Sequence, residues 1–138
     1  MDGPMSPPLF RALHHVALIC SDYERSKHFY SEVLGFRIIH EVYRADRASH
    51  KLDLEISPTQ HLELFSFPSP PARLTRPEAC GLRHLAFAVQ DIDQTLAELR
   101  ARGVESEEVR VDPVTGQRFT FFRDPDDLPI EIYEQEAR

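Results

Sequence analysis

The sequence predicts an α+β fold in which two βαβββ modules curve their mixed sheets around a cup. Two observations carry this. The stretch Leu13-His14-His15-Val16-Ala17-Leu18, with Asp22 and a helical run closing at Gly35, is matched by Leu82-Arg83-His84-Leu85-Ala86-Phe87, with Asp91 and a helical run closing at Gly103. Each copy later carries an apolar-Glu-apolar triplet, Leu62-Glu63-Leu64 and Ile130-Glu131-Ile132. His15 and His84 lie 69 positions apart, and Glu63 and Glu131 lie 68 apart. Self-similarity at a fixed period marks one supersecondary unit used twice.

The elements follow in order. The short apolar run ending at Cys20 reads as a buried strand from about Leu13. Ser21 or Asp22 can cap the next helix, Phe29, Tyr30, Val33 and Leu34 form its apolar stripe, and Gly35 suits the position just past its end. Strands are expected over 36–43, 50–56 and 60–67, with Pro58-Thr59 turning between the last two. Residues 68–81 hold four prolines and no periodicity, and read as a linker. The second module repeats the order: a strand over 82–89, a helix over 91–102 with Ile92, Leu96 and Leu99 on one face, and strands over 104–111, 117–123 and 128–134. The domain organisation is therefore a flexible tail over 1–11 and one domain over 12–134, with module one at 12–67 and module two at 82–134.

Strand alternation gives each key residue a face. Val16, Leu18 and Cys20 oppose His15, Ala17 and Ile19, while Leu85, Phe87 and Val89 oppose His84, Ala86 and Ala88. Leu62 and Leu64 oppose Glu63, Phe65 and Phe67, and Ile130 and Ile132 oppose Glu131 and Tyr133. One face of each strand is apolar and suits a helix layer. The other carries a ligand-type residue among small or aromatic neighbours, as a cavity floor requires.

Composition narrows the function classes. The 138 residues suffice for one compact domain. A net charge of −7 disfavours nucleic acid and anionic membranes as partners. No apolar run approaches the ~18 residues of a membrane span. The first residues lack the basic and apolar segments of a signal peptide, so a cytoplasmic location is expected. Cys20 and Cys80, the only cysteines, read as free thiols.

The matched positions of His15, Glu63, His84 and Glu131 suggest one metal site built from two halves. Two imidazoles and two carboxylates suit a divalent Ni, Co, Zn, Mn or Fe ion. Four protein ligands around an octahedral ion leave two positions for water or substrate, the open arrangement of Lewis-acid catalysis. The other histidines have no repeat partner: His14 is a second-shell or surface group, His28 lies on the polar side of a helix, and of His40, His50 and His61 the last two are pocket candidates. Arg110, Arg118 and Arg123 are the candidates for anion binding.

At these residues the chain resembles the vicinal-oxygen-chelate superfamily, in particular its glyoxalase I-like (lactoylglutathione-lyase-like) branch. The resemblance spans about 13–134 and rests on four stretches in order: Leu-His-His-Val-Ala-Leu at 13–18, Ser-Lys-His-Phe-Tyr-Ser-Glu-Val-Leu-Gly-Phe at 26–36, Leu-Arg-His-Leu-Ala-Phe at 82–87, and Asp-Pro-Asp-Asp-Leu-Pro-Ile-Glu-Ile at 124–132. The chain looks especially like a small bacterial group with Arg-Pro-Glu-Ala-Cys-Gly-Leu-Arg-His-Leu-Ala-Phe at 76–87.

The resemblance implies metal ligands on the first and fourth strand of each module, which are His15, Glu63, His84 and Glu131. It implies Ni, Co or Zn as the cofactor, and a homodimer whose sites take two ligands from each chain. The implied activity is that of a lyase or isomerase on a small vicinal-oxygen substrate. The metal stabilises an enediolate, and Glu63 or Glu131 moves the proton next to the carbonyl. Two places depart from the pattern. Ile19 and Phe67 stand where bacterial glyoxalase I has the Arg and Asn that help hold glutathione. Asp127 replaces a turn Gly, a mild change because Asp tolerates the left-handed region. The competing readings are an iron-dependent extradiol-type dioxygenase and a small-molecule binding protein with no chemistry.

Overall fold

A computed structural model of the chain describes residues 6–136. The expected tail over 1–11 falls partly outside them; within them, Leu9 and Phe10 are exposed. The element order is β1 (His15–Cys20), α1 (Tyr23–His28), β2 (Arg37–Arg44), β3 (Ser49–Ser57), β4 (Gln60–Ser66), β5 (Leu85–Val89), α2 (Ile92–Ala101), β6 (Arg110–Val111), β7 (Arg118–Arg123) and β8 (Pro129–Glu134). The strand-helix-three-strand order is thus performed twice.

Both helices start where an aspartate can cap them. The Asp22 carboxylate accepts from the Arg25 N–H at 3.2 Å and the Asp91 carboxylate from the Gln94 N–H at 3.1 Å. α1 runs on into a wider π-type turn, Phe29–Val33. There the Ser31 hydroxyl donates to the Lys27 carbonyl at 2.6 Å, a local bond of the kind that competes with the helical ladder. Gly35, at φ +81°, then takes the chain out.

Each module forms a four-stranded sheet, ordered β1-β4-β3-β2 and β5-β8-β7-β6. The first and last strands of each module pair in parallel and the remaining neighbours are antiparallel. Neither sheet closes into a barrel. The faces match the alternation. Leu52, Leu54, Leu62, Leu64, Ile130 and Ile132 are buried with Tyr30, Ile92 and Leu99 in one core shared by both modules. The modules interlock on that side: the Tyr30 hydroxyl donates to the Asp124 carboxylate at 2.7 Å, and the Phe36 and Phe87 rings lie 5.3 Å apart. With both apolar faces spent on this core, the two cupped faces turn outward.

One strand is shorter than its sequence suggests. The expected strand over 104–111 is reduced to Arg110–Val111. The residues before it are tied irregularly: the Thr120 hydroxyl donates to the Glu107 and Glu108 carbonyls, and the Val104 N–H turns back to the Leu99 carbonyl. Of the run's valines only Val104 packs against the core, while Val109 and Val111 are exposed. No helix of the described residues is long and apolar enough to cross a membrane.

Both cysteines are free thiols. Cys20 is 2 % exposed, and burial, aided by the nearby Asp126 charge, pushes its thiol up to about 11. Thiolate is the reactive form. Iodoacetamide at pH 8 should therefore modify exposed Cys80 and spare Cys20 until the protein is denatured. Peptide mass mapping before and after urea checks this. Equal labelling of both thiols in the native protein would mean that β1 opens readily.

Candidate metal centre

The cup of module one is floored by β1 and β4, whose parallel register sets Ala17 beside Glu63. Its mate, floored by β5 and β8, sets Ala86 beside Glu131. The small alanines leave each carboxylate uncovered. In module one His15 Nε2 lies 3.5 Å from the nearer Glu63 oxygen. In module two His84 Nε2 lies 3.4 Å from the nearer Glu131 oxygen. The carboxylates are 16 % and 15 % exposed, Glu63 between Ala17 and Asp53 and Glu131 between Ala86 and Phe121.

These spacings suit a shared cation. Two donors each about 2.0–2.2 Å from one ion, at an angle between octahedral and tetrahedral, lie about 2.8–3.6 Å apart. Both pairs fall in that window, and both present an imidazole Nε2 with a carboxylate oxygen. The remaining ring nitrogens differ. His15 Nδ1 meets His14 Nδ1 at 2.9 Å, so His14 supports His15 from behind. His14 lies just ahead of β1, where strict alternation no longer sends it to the far face. His84 Nδ1 is buried without a protein partner, leaving its Nε2 free of any competing tautomer constraint.

The structure brings these residues together two by two, not four at once. Among the described residues no three or more His, Cys, Asp or Glu side chains converge as a metal-binding group. In each cup of a single chain one His and one Glu come within about 3.5 Å of each other, and ions of the zinc class take three or four protein ligands. Each pair offers two of the three or four donors that such an ion takes.

Other sequence candidates sort by face. His61 shares the cup side with Glu63 and meets the His14 ring edge-on at 5.7 Å. His50 faces the other way, stacked on Tyr23 at 4.2 Å. Arg118 is withdrawn from the anion-binding candidates: it shares the face of buried Thr120 and Phe122 and is paired with Glu134 at 2.9 Å and Asp93 at 3.1 Å. Arg110 and Arg123 do line the cup of module two. Asp127 sits at φ +64°, the left-handed conformation expected for its turn.

Sequence reasoning missed two contributors. Lys51 reaches into the first cup, 2.9 Å from Asp53 and 3.9 Å from Glu63. Alternation along β3 could have placed it, since Lys51 and Asp53 oppose Leu52 and Leu54. The second is the linker, which lacks helix and strand yet folds over the second cup. Arg73, Thr75 and Arg76 line it, anchored by bonds from Arg73 to the Leu82 carbonyl and from Thr75 to the Asp127 carbonyl. No periodicity announces such a segment.

Two outward cups with a repeated His–Glu pair on a βαβββ repeat define a class of protein, and the family comparison agrees. Residues 12–132 match the glyoxalase/bleomycin resistance protein/dioxygenase superfamily, and the chain belongs to it. It is 58 % identical over 127 residues to YwkD of Bacillus subtilis (strain 168), covering 92 % of this chain and 99 % of that protein. The glyoxalase family protein from Enterococcus faecalis superposes with a TM-score of 0.86 at 46 % identity, over 92 % of this chain and 100 % of that one. A 2-epi-5-epi-valiolone epimerase from Actinomyces sp is 30 % identical over 142 residues, covering 88 % of this chain and 78 % of that protein.

Proposed function

We propose that the protein is a metal-dependent lyase or isomerase of glyoxalase I type, acting on a small substrate with two neighbouring oxygens. The observation that carries the reading is the repeated His–Glu pair, with donor atoms 3.5 and 3.4 Å apart on the floors of two outward cups. His15 and Glu63 of one chain would hold a divalent ion, Ni, Co or Zn, together with His84 and Glu131 of a second copy. Exposed apolar residues beside the cups, Leu13, Ile19 and Leu82, support such a homodimer because they would be covered by it. Two free thiols support a cytoplasmic location.

When bound, the ion supplies positive charge to both substrate oxygens. The chain does the rest. His15 and His84 would help hold the ion, their Nε2 atoms being the ones that face the carboxylates. Glu63 or Glu131 takes the proton beside the carbonyl and returns it elsewhere, within reach because its carboxylate lies on the cup floor. The joined cups keep bulk water from the reacting carbon. The epimerase relative supports this chemistry in kind, since removing and returning a proton next to a carbonyl is one route to inverting a stereocentre.

The test is metal analysis of the purified protein, then an assay of metal-reconstituted protein on methylglyoxal with several thiols. Bound metal near one ion per chain, lost on chelation, is the expected result. With glutathione as the thiol, turnover should be weak. Ile19 and Phe67 cannot pair with a carboxylate, and each missing charge-assisted bond costs about 1.5–3 kcal/mol, roughly ten- to more than hundredfold in affinity. Rates on the glutathione adduct typical of dedicated enzymes would instead mean that other residues hold glutathione. A protein that takes up none of these metals would defeat the reading.

A further inference from the structure

The cup of module two is far more cationic than the chain around it. The chain carries a formal charge of −7, yet the cavity, about 510 Å³, is lined by five arginines against three glutamates. Two of the arginines are spoken for, Arg83 by Glu78 and Arg76 by Asp127. Arg110 and Arg123 both reach Glu107, at 3.2 and 3.8 Å, and Arg123 also reaches Asp127 at 3.4 Å, a carboxylate it shares with Arg76. Arg73 donates to backbone carbonyls, which leave its charge uncompensated.

The geometry ties this charge to the candidate metal centre. The Arg110 guanidinium lies over the Phe119 and Phe121 rings, 5.1 and 5.5 Å from their centroids. The His84 ring meets the same Phe121 edge-on at 5.1 Å. One aromatic ring thus contacts both the imidazole and the guanidinium, within the length of a short molecule. Contact with two rings also holds the guanidinium in place, so little freedom remains to be lost on binding. The first cup differs. There Lys51 and Asp53 occupy the places of Phe119 and Phe121, and they neutralise each other at 2.9 Å.

Resting on the metal-centre reading above, we infer that the substrate carries an anionic oxygen group, a carboxylate or a phosphate, apart from its two chelating oxygens, and that Arg110 and Arg123 hold it. Glu107, and on the Arg123 side Asp127, are the exposed, exchangeable partners that the anion displaces. A guanidinium presents two parallel N–H donors, which fit either anion.

The test uses the zinc-loaded protein and calorimetric titration with three hydroxamates. Acetohydroxamate chelates through two neighbouring oxygens and has no tail. N-hydroxysuccinamate adds a carboxylate, and 3-phosphonopropanohydroxamate adds a phosphonate. At least one tailed compound should bind about tenfold tighter or more than acetohydroxamate, and the better of the two identifies the anion. In Arg110→Gln/Arg123→Gln that preference should vanish while acetohydroxamate affinity stays the same. Both arginines are partly exposed, so the fold tolerates the change. Equal binding of all three by the wild-type protein would overturn the inference and leave the metal reading standing. Failure to take up zinc, with no hydroxamate bound, would overturn the metal reading and this inference with it.

Discussion

Replacing Glu131 with Gln should lower activity by about 10²–10⁴-fold, because the amide can neither take a proton nor bring a negative charge to the ion. The substitution changes shape little. Glu131 stands between buried Ile130 and Ile132, and Ala86 beside it presses on nothing. The fold should therefore hold, and a thermal melt of the metal-free variant should match that of the wild type. Glu63→Gln should behave alike in module one. The pair also separates two roles. A variant that keeps its metal content but loses kcat has lost the proton carrier, whereas one that loses metal has lost a ligand first. Metal content and single-turnover rates on both variants decide this. Two variants that keep full metal and full activity would remove both carboxylates from the chemistry.

The two His–Glu pairs, His15 with Glu63 and His84 with Glu131, were legible as pairs because a repeat exposes what a single copy hides. A lone Glu between two leucines is ordinarily the wet side of a strand. Matched with a second Glu at the same station, and with His15 and His84 at another, it becomes half of a constellation. The faces were legible for a similar reason: Ala17, Ala86 and Ala88 mark a floor, and the buried leucines and isoleucines mark the side that packs. What alternation could not show was distance across the molecule. The repeat pattern suggested a single point of convergence, but the apolar faces of both sheets spend themselves on one core, so the cups are turned apart. The extent of β6 was hidden because Val104, Val109 and Val111 punctuate the run as a strand's residues would, while Thr120 ties up the carbonyls a ladder would use. Arg118 and Arg123 look equivalent in sequence; only strand parity, with buried Thr120 and Phe122 between them, separates an ion-paired surface arginine from one that lines the cup.

Mixing two inactive variants should restore activity, and the amount restored measures where the sites lie. His15→Ala destroys the half-site of module one and leaves module two intact; His84→Ala does the reverse. In a homodimer of either variant, with sites shared between chains, every site lacks one imidazole. A mixed dimer differs. One of its sites joins the two damaged modules, and the other joins two intact ones. Equal amounts exchanged at random give half mixed dimers, each with one good site of two, so about a quarter of wild-type metal content and activity should return. The expectation rests on the outward cups and on the 3.5 and 3.4 Å pairs, each short of the three or four ligands an ion requires. Unfolding and refolding the mixture ensures exchange, and sedimentation of each variant alone confirms that dimers survive the substitutions. If sites instead lay within single chains, no intact site could form, and the mixture would stay as inactive as its parts. Full activity in either variant alone would show that its imidazole is not a ligand at all.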